Sequence, residues 1–383
     1  MAREVGGLRM RALRLWGAAA LLALAGRPAA VADDAPPEAA APPSYPTLRL
    51  IGFTDAGFSV TDADDSVSNS GFFLGQFVLH VTSALSPRVA FFGEVSVVAS
   101  DDVAYSHAAS TTGAYHAVAD VHRSMLKYTH SDGLKLSIGR FHTPVSYWNV
   151  AYHHGHWLQT TVTRPKMLDF TSPFLPLHFT GAFAEGELPS GRLNLGYSLG
   201  VGNGRGAGPG RAEAPADAND SRAWVARLSA RPDWLRGLDV GAAVYGDEVS
   251  AHYGERTVDY GERIMNAYVV FTKETPEILA EYVAVRHVRN GGGPAYTSGA
   301  YYVQAAWRLG ALAEKVKPYA RWEEIRPNAA DHLVDPATAC RSLLAGVRVD
   351  VSDLVALKAE YQRQHDDRAP FRDGFFTQAS FTF

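Results

Sequence analysis

From residue 48 to residue 383 the chain repeats one pattern, stretches of about ten residues in which apolar and polar side chains alternate. In the last of them, FFTQASFTF, Phe375, Thr377, Ala379, Phe381 and Phe383 share one face, and Phe376, Gln378, Ser380 and Thr382 share the other. In RLNLGYSLGV, Leu193, Leu195, Tyr197, Leu199 and Val201 oppose Arg192, Asn194, Gly196, Ser198 and Gly200. In AYYVQAAWRL, Tyr301, Val303, Ala305, Trp307 and Leu309 oppose Tyr302, Gln304, Ala306 and Arg308, and in LVALKAEYQ, Val355, Leu357, Ala359 and Tyr361 oppose Lys358, Glu360 and Gln362. Because successive side chains of a strand point to opposite faces, each stretch reads as a strand with one apolar face and one polar or small face.

Sixteen such stretches begin near residues 48, 71, 87, 116, 133, 176, 191, 221, 236, 260, 275, 298, 315, 339, 353 and 373. The breaks between them alternate in length. Short ones such as SALSP (83–87), SDG (131–133), PSG (189–191), KETP (273–276) and SD (352–353) are interleaved with longer ones around 59–70, 100–115, 141–175, 202–220, 249–259, 290–297, 327–338 and 365–372. Short turns on one rim and long loops on the other predict an all-β, up-and-down antiparallel transmembrane barrel of about 16 strands. A soluble β-sandwich has no reason to keep that order.

The N-terminus sets the compartment. Arg9, Arg11 and Arg14 precede the apolar run LWGAAALLALAG, and Ala30-Val31-Ala32 offers small residues for a signal peptidase. The organisation expected is a signal peptide over 1–32, a flexible Pro/Ala-rich leader over 33–47, and an outer-membrane barrel over 48–383. Removing the signal takes away five basic residues and one acid, which leaves 31 basic against 39 acidic residues and argues against a nucleic-acid partner. The one cysteine, Cys340, rules out an intramolecular disulfide.

With these residues in view the chain resembles Gram-negative outer-membrane porins. The closing FTQASFTF, with Phe381 and Phe383, is similar to the assembly signal of that class, which implies the barrel-insertion machinery as a partner. The stretch LSIGRFHTPVSYWNVAYHHGHWLQT, Leu136 to Thr160, resembles the broad phosphate-selective porin O/P-like group, where a GR-F-TP sequence closes a strand and leads into a long loop. Lysine is sparse, so the resemblance is not extended to phosphate selectivity. It does imply that the third long loop folds into the lumen as a constriction, and that three copies associate as a homotrimer in outer-membrane lipid.

The constriction candidates are Arg140, Tyr147, Trp148, His153, His154, His156, Arg164 and Lys166, with Tyr152 and Trp157 as further aromatic contacts to the wall. On polar strand faces, Glu94, Arg227, Arg308, Arg321, Glu323, Arg348, Asp350, Lys358 and Glu360 are the candidate pore-lining charges, because a charge on the lipid face costs about 2–4 kcal/mol at the midplane. Three histidines within AYHHGHW raise the question of a metal. On an extended segment His153 and His154 point in opposite directions, which leaves a pair for one ion, so no metal or cofactor is expected.

The reading that follows is a water-filled channel for passive diffusion of small hydrophilic solutes or ions. Two alternatives stand beside it, a non-conducting structural barrel and an outer-membrane barrel enzyme. The one G-x-S-x-G match, GYSLG at 196–200, lies inside an alternating strand stretch, and nothing in the sequence sets a serine beside a histidine and a carboxylate, so no enzyme is expected. An energy-coupled receptor would need about 22 strands and a plug, more than this chain can supply.

Overall fold

A computed structural model describes residues 44–62, 69–99, 117–169, 174–205, 219–253, 255–310, 313–365 and 372–383. The expected signal peptide and most of the expected leader lie outside the described residues. The first strands are β1 (Arg49–Thr61), β2 (Ser70–Ala84), β3 (Val89–Ala99), β4 (Ala117–Ser131), β5 (Leu134–His142), β6 (His178–Glu187), β7 (Leu195–Gly202) and β8 (Ala223–Ala230). They are followed by β9 (Leu238–Tyr253), β10 (Arg256–Thr272), β11 (Glu277–Arg289), β12 (Ala295–Ala306), β13 (Val316–Arg326), β14 (Cys340–Ser352), β15 (Val355–His365) and β16 (Asp373–Thr382).

Each strand pairs antiparallel with the next, and β16 pairs with β1, which closes a sixteen-stranded barrel. Closure leaves no open edge around the ring, so strand N–H and C=O groups within the paired registers are satisfied without water. At the seam, Gly52 and Phe383 exchange both backbone hydrogen bonds, at 2.8 and 3.0 Å. The tip of the Phe383 ring lies where a side chain on residue 52 would stand, 2.3 Å from an ideal Cβ, so a larger residue there has to push the ring aside.

The alternation falls as expected. Leu199, Val201, Val303, Leu357, Tyr361, Phe375 and Phe381 are exposed on the outer surface, while Ser198, Tyr302, Gln304, Lys358, Glu360, Phe376, Gln378 and Ser380 are buried on the inner one. Trp234 and Trp307 stand exposed at the short-turn rim, and Trp224 and Phe375 near the other, in the positions of aromatic girdles.

Two expectations about the connections are corrected. Residues 249–259 do not form a long loop: β9 runs to Tyr253 and β10 starts at Arg256. Val249, Ala251 and Tyr260 bury against Leu333 and Val258, so the strands continue past a run that reads as polar. Arg308 is not on a strand, because β12 ends at Ala306 and Arg308 belongs to the turn at the short-turn rim.

Candidate functional site

The connection L3 (143–177), third on the long-loop rim, joins β5 to β6 but hydrogen-bonds to β11, β13, β14 and β15, on the opposite arc of the ring. Its partners there are side chains of the inner face, so L3 passes through the interior of the barrel.

The crossing starts with a short helix, α1 (Tyr147–Tyr152). Ser146 caps it by accepting from Asn149 N–H, and a wall carboxylate, Glu281 on β11, completes the cap. Glu281 accepts from the backbone N–H of Tyr147 and of Trp148, both at 2.9 Å, and from the hydroxyls of Ser146 and Tyr302. A carboxylate at a helix N-terminus satisfies donors that have no partner within the helix. Trp148 is fully buried, and Arg164 lies over its ring, 5.3 Å from the centroid.

Further along, the wall holds L3 by both signs of charge. Glu360 on β15 accepts from Val162 N–H, Thr163 N–H and the Thr163 hydroxyl at 2.9, 3.2 and 2.7 Å. Glu323 on β13 accepts from Lys166 N–H at 2.7 Å, and Glu277 on β11 from the Thr160 hydroxyl at 2.7 Å. The cations take the carbonyls. Arg321 donates to Thr163 O and Arg164 O, both at 2.9 Å, and Arg348 donates to Trp157 O and Gln159 O at 2.7 and 2.8 Å. Lys358 donates to His156 O, Thr161 O and Gln378 Oε1. Irregular backbone deep in a barrel requires such partners for each polar group.

Of the pore-lining candidates, Arg321, Glu323, Arg348, Lys358 and Glu360 therefore converge on one task, holding L3. Asp350 pairs with Arg348 and with Arg308, both at 2.7 Å, toward the short-turn rim. Arg227 stands apart on β8, half-buried, donating to Tyr268 OH at 2.6 Å beneath the Tyr147 ring. Glu94 on β3 is buried against Arg123, His80 and His142.

Among the constriction candidates, Arg164 is buried, with its guanidinium on His153 O and Leu168 O at 2.8 and 3.1 Å; it braces the loop from inside. His156 Nδ1 sits 3.0 Å from Asp55 Oδ2 on β1 and 2.8 Å from Gln378 Nε2 on β16. Lys166 and Arg140 are half-buried. Tyr147 packs its ring on Tyr268 with centroids 5.2 Å apart, and burial raises its phenol pKa above the ordinary 10.

His153 and His154 do not lie on an extended segment: they follow α1, and both rings turn toward the wall. There they meet His122 of β4 and His178, the first residue of β6, two histidines that no local pattern groups with them. Burial, reinforced by neighbouring imidazoles, lowers both His153 and His154 well below their ordinary 6.5 and keeps them neutral. Glu281, Glu277, Asp55 and Gln76 carry no local signal either, since nothing local marks which inward polar residue will meet a loop threaded from far away.

No family model matches the chain, and no curated protein sequence matches it. Solved structures do match, as folds. An anion-selective porin from Comamonas acidovorans is 11% identical, with a TM-score of 0.59 over 88% of this chain and 100% of that one. The outer membrane channel DcaP of Acinetobacter baumannii is 11% identical, with a TM-score of 0.56 over 88% of this chain and 97% of that one. OmpT, an outer membrane protein of Vibrio cholerae, in its trimer form, is 13% identical, with a TM-score of 0.55 over 88% of this chain and 99% of that one. At these identities the likeness is one of fold, a closed antiparallel barrel shared with these outer-membrane proteins.

Proposed function

We propose that the chain is an outer-membrane porin, a passive channel for small hydrophilic solutes or ions without a chemical step, exported by the signal over residues 1–32. The observation that carries this reading is L3 itself, a loop led through a closed barrel with a polar inner face and held there by Glu281, Glu360, Arg321, Arg348 and Lys358. A loop fastened in this way narrows a lumen without sealing the wall, which is how a fixed-size path is built. Association as a homotrimer belongs to the same proposal and is supported by the trimeric barrel among the matching folds.

The competing reading, a barrel closed by its own loop, draws on the complete burial of Trp148, His153 and Arg321. Solute influx into liposomes holding the refolded protein separates the two. The channel reading expects swelling in small sugars that falls off with sugar size. No swelling with any of them, from protein folded in the bilayer, would leave the closed barrel standing.

A further inference from the structure

Behind L3, four imidazoles from three parts of the chain converge: His122 on β4, His153 and His154 after α1, and His178 at the start of β6. One ring nitrogen from each lies within 4.8 Å of the other three, and all four residues are buried. His122 Nδ1 and His178 Nε2 are 2.8 Å apart. The rings of His122 and His154 stand 3.9 Å apart by centroid, and those of His153 and His178 4.6 Å.

The outer nitrogens are held in turn. His153 Nδ1 lies 2.7 Å from Asn149 Oδ1. The Asn149 amide nitrogen donates to Thr143 O and Leu177 O at 3.1 and 2.8 Å, which fixes its orientation, so the oxygen faces the ring and accepts the Nδ1 proton. That tautomer puts the His153 lone pair on Nε2. His154 Nδ1 meets Gln76 Oε1 at 2.9 Å, and His122 Nε2 meets the Ser96 hydroxyl at 2.7 Å, so these rings too are oriented from outside the cluster. A ring N–H given to an amide oxygen while the other nitrogen faces its neighbours is the outer-shell pattern of metal-bound histidine.

We propose that His122, His153, His154 and His178 form a tetrahedral site for a late first-row divalent cation, with Zn²⁺ as the reference ion. Neutral imidazoles suit Zn²⁺, Ni²⁺ or Cu²⁺ and are poor ligands for Ca²⁺ or Mg²⁺, which take oxygen. Zinc–nitrogen bonds of about 2.0–2.1 Å set the ligand nitrogens about 3.3 Å apart, a contraction that small ring rotations supply. Glu94 Oε1, 3.8 Å from His154 Nε2, brings negative charge to the edge of the site, while Arg123 pairs with Glu94 and Arg140 and Arg164 lie on its cationic side. With four protein ligands the site is closed, hence structural. It ties the first half of L3 to β4 and β6, on the arc opposite the one gripped by Glu360 and Arg321.

The test uses the full-length chain without a histidine tag, refolded, stripped with chelator, and given Zn²⁺ or Co²⁺ alone. Expected are one Zn²⁺ per chain after dialysis and the intense visible bands of tetrahedral Co²⁺. His153→Ala with His154→Ala abolishes both, and Asn149→Ala, which leaves every ligand in place, weakens Zn²⁺ binding about 10- to 100-fold. His252→Ala, at an exposed histidine on β9, changes neither. Should the double variant fail to fold, His154→Gln replaces it, with the same loss expected. Less than one Zn²⁺ per wild-type chain, an octahedral Co²⁺ spectrum, or binding that survives the ligand substitutions overturns the site. Metal content is read without conductance, so this outcome and that of the channel reading are independent.

Discussion

Glu281, on β11, takes the backbone N–H of Trp148 at 2.9 Å across the interior of the barrel, so a wall carboxylate begins the helix of a loop that is anchored on the opposite arc. The helix is six residues long and has little intrinsic stability of its own. Its order comes from the wall.

Replacing that carboxylate removes the acceptor for two backbone N–H groups together. Glu281→Ala should speed amide exchange at Tyr147 and Trp148 ten- to hundredfold, from about 1.5–3 kcal/mol for a charge-assisted hydrogen bond. Hydrogen exchange of the refolded protein reads this, and unchanged rates would show that α1 is held some other way.

Arg321 is buried with its guanidinium on Thr163 O and Arg164 O. Arg321→Met leaves those carbonyls and Glu323 without their cation, and should cost about 3–5 kcal/mol in denaturant titrations. A loss below 1 kcal/mol, on the same scale, would mean that L3 does not depend on this contact.

The seam makes a prediction about folding. Gly52→Val drives a side chain into the Phe383 ring and should lower the temperature at which the folded barrel loses its fast gel mobility. Gly71→Val, where a Cβ meets open space, is the control and should leave that temperature unchanged. Equal effects from the two would argue against the seam as the sensitive point.

Alkali should loosen L3. Burial raises the Tyr147 phenol above 10, so the contribution of its packing is complete below pH 10 and is lost as pH climbs toward the raised value, where the released loop ionises first. Exchange at Tyr147 and Trp148 should therefore accelerate above pH 10 in the wild type more than in Tyr147→Phe. Identical profiles would remove the tyrosine from the account.

The barrel was legible because its signal is repeated and local. The phases of Leu199, Val303, Leu357 and Phe375 could be read from strict alternation, and each faces outward as expected. Where local polarity was the guide, around residues 249–259, it misled, because Leu333 from another loop covers that hairpin. The site was half legible. Inward charges such as Arg321, Lys358 and Glu360 read from the sequence as lining rather than as partners of L3, since the pairing depends on how the connection 143–177 threads the ring. The histidines show the same limit, for His122 and His178 lie 56 residues apart in the sequence and meet only because β4 and β6 pair on either side of β5.

Planar-bilayer recording of the refolded protein decides whether the barrel conducts. Discrete, uniform conductance steps are expected from the wild type, and larger, noisier steps from Glu281→Ala, whose L3 is loosened. A silent wild type, with folding into the bilayer verified by its heat-dependent gel shift, would contradict the channel.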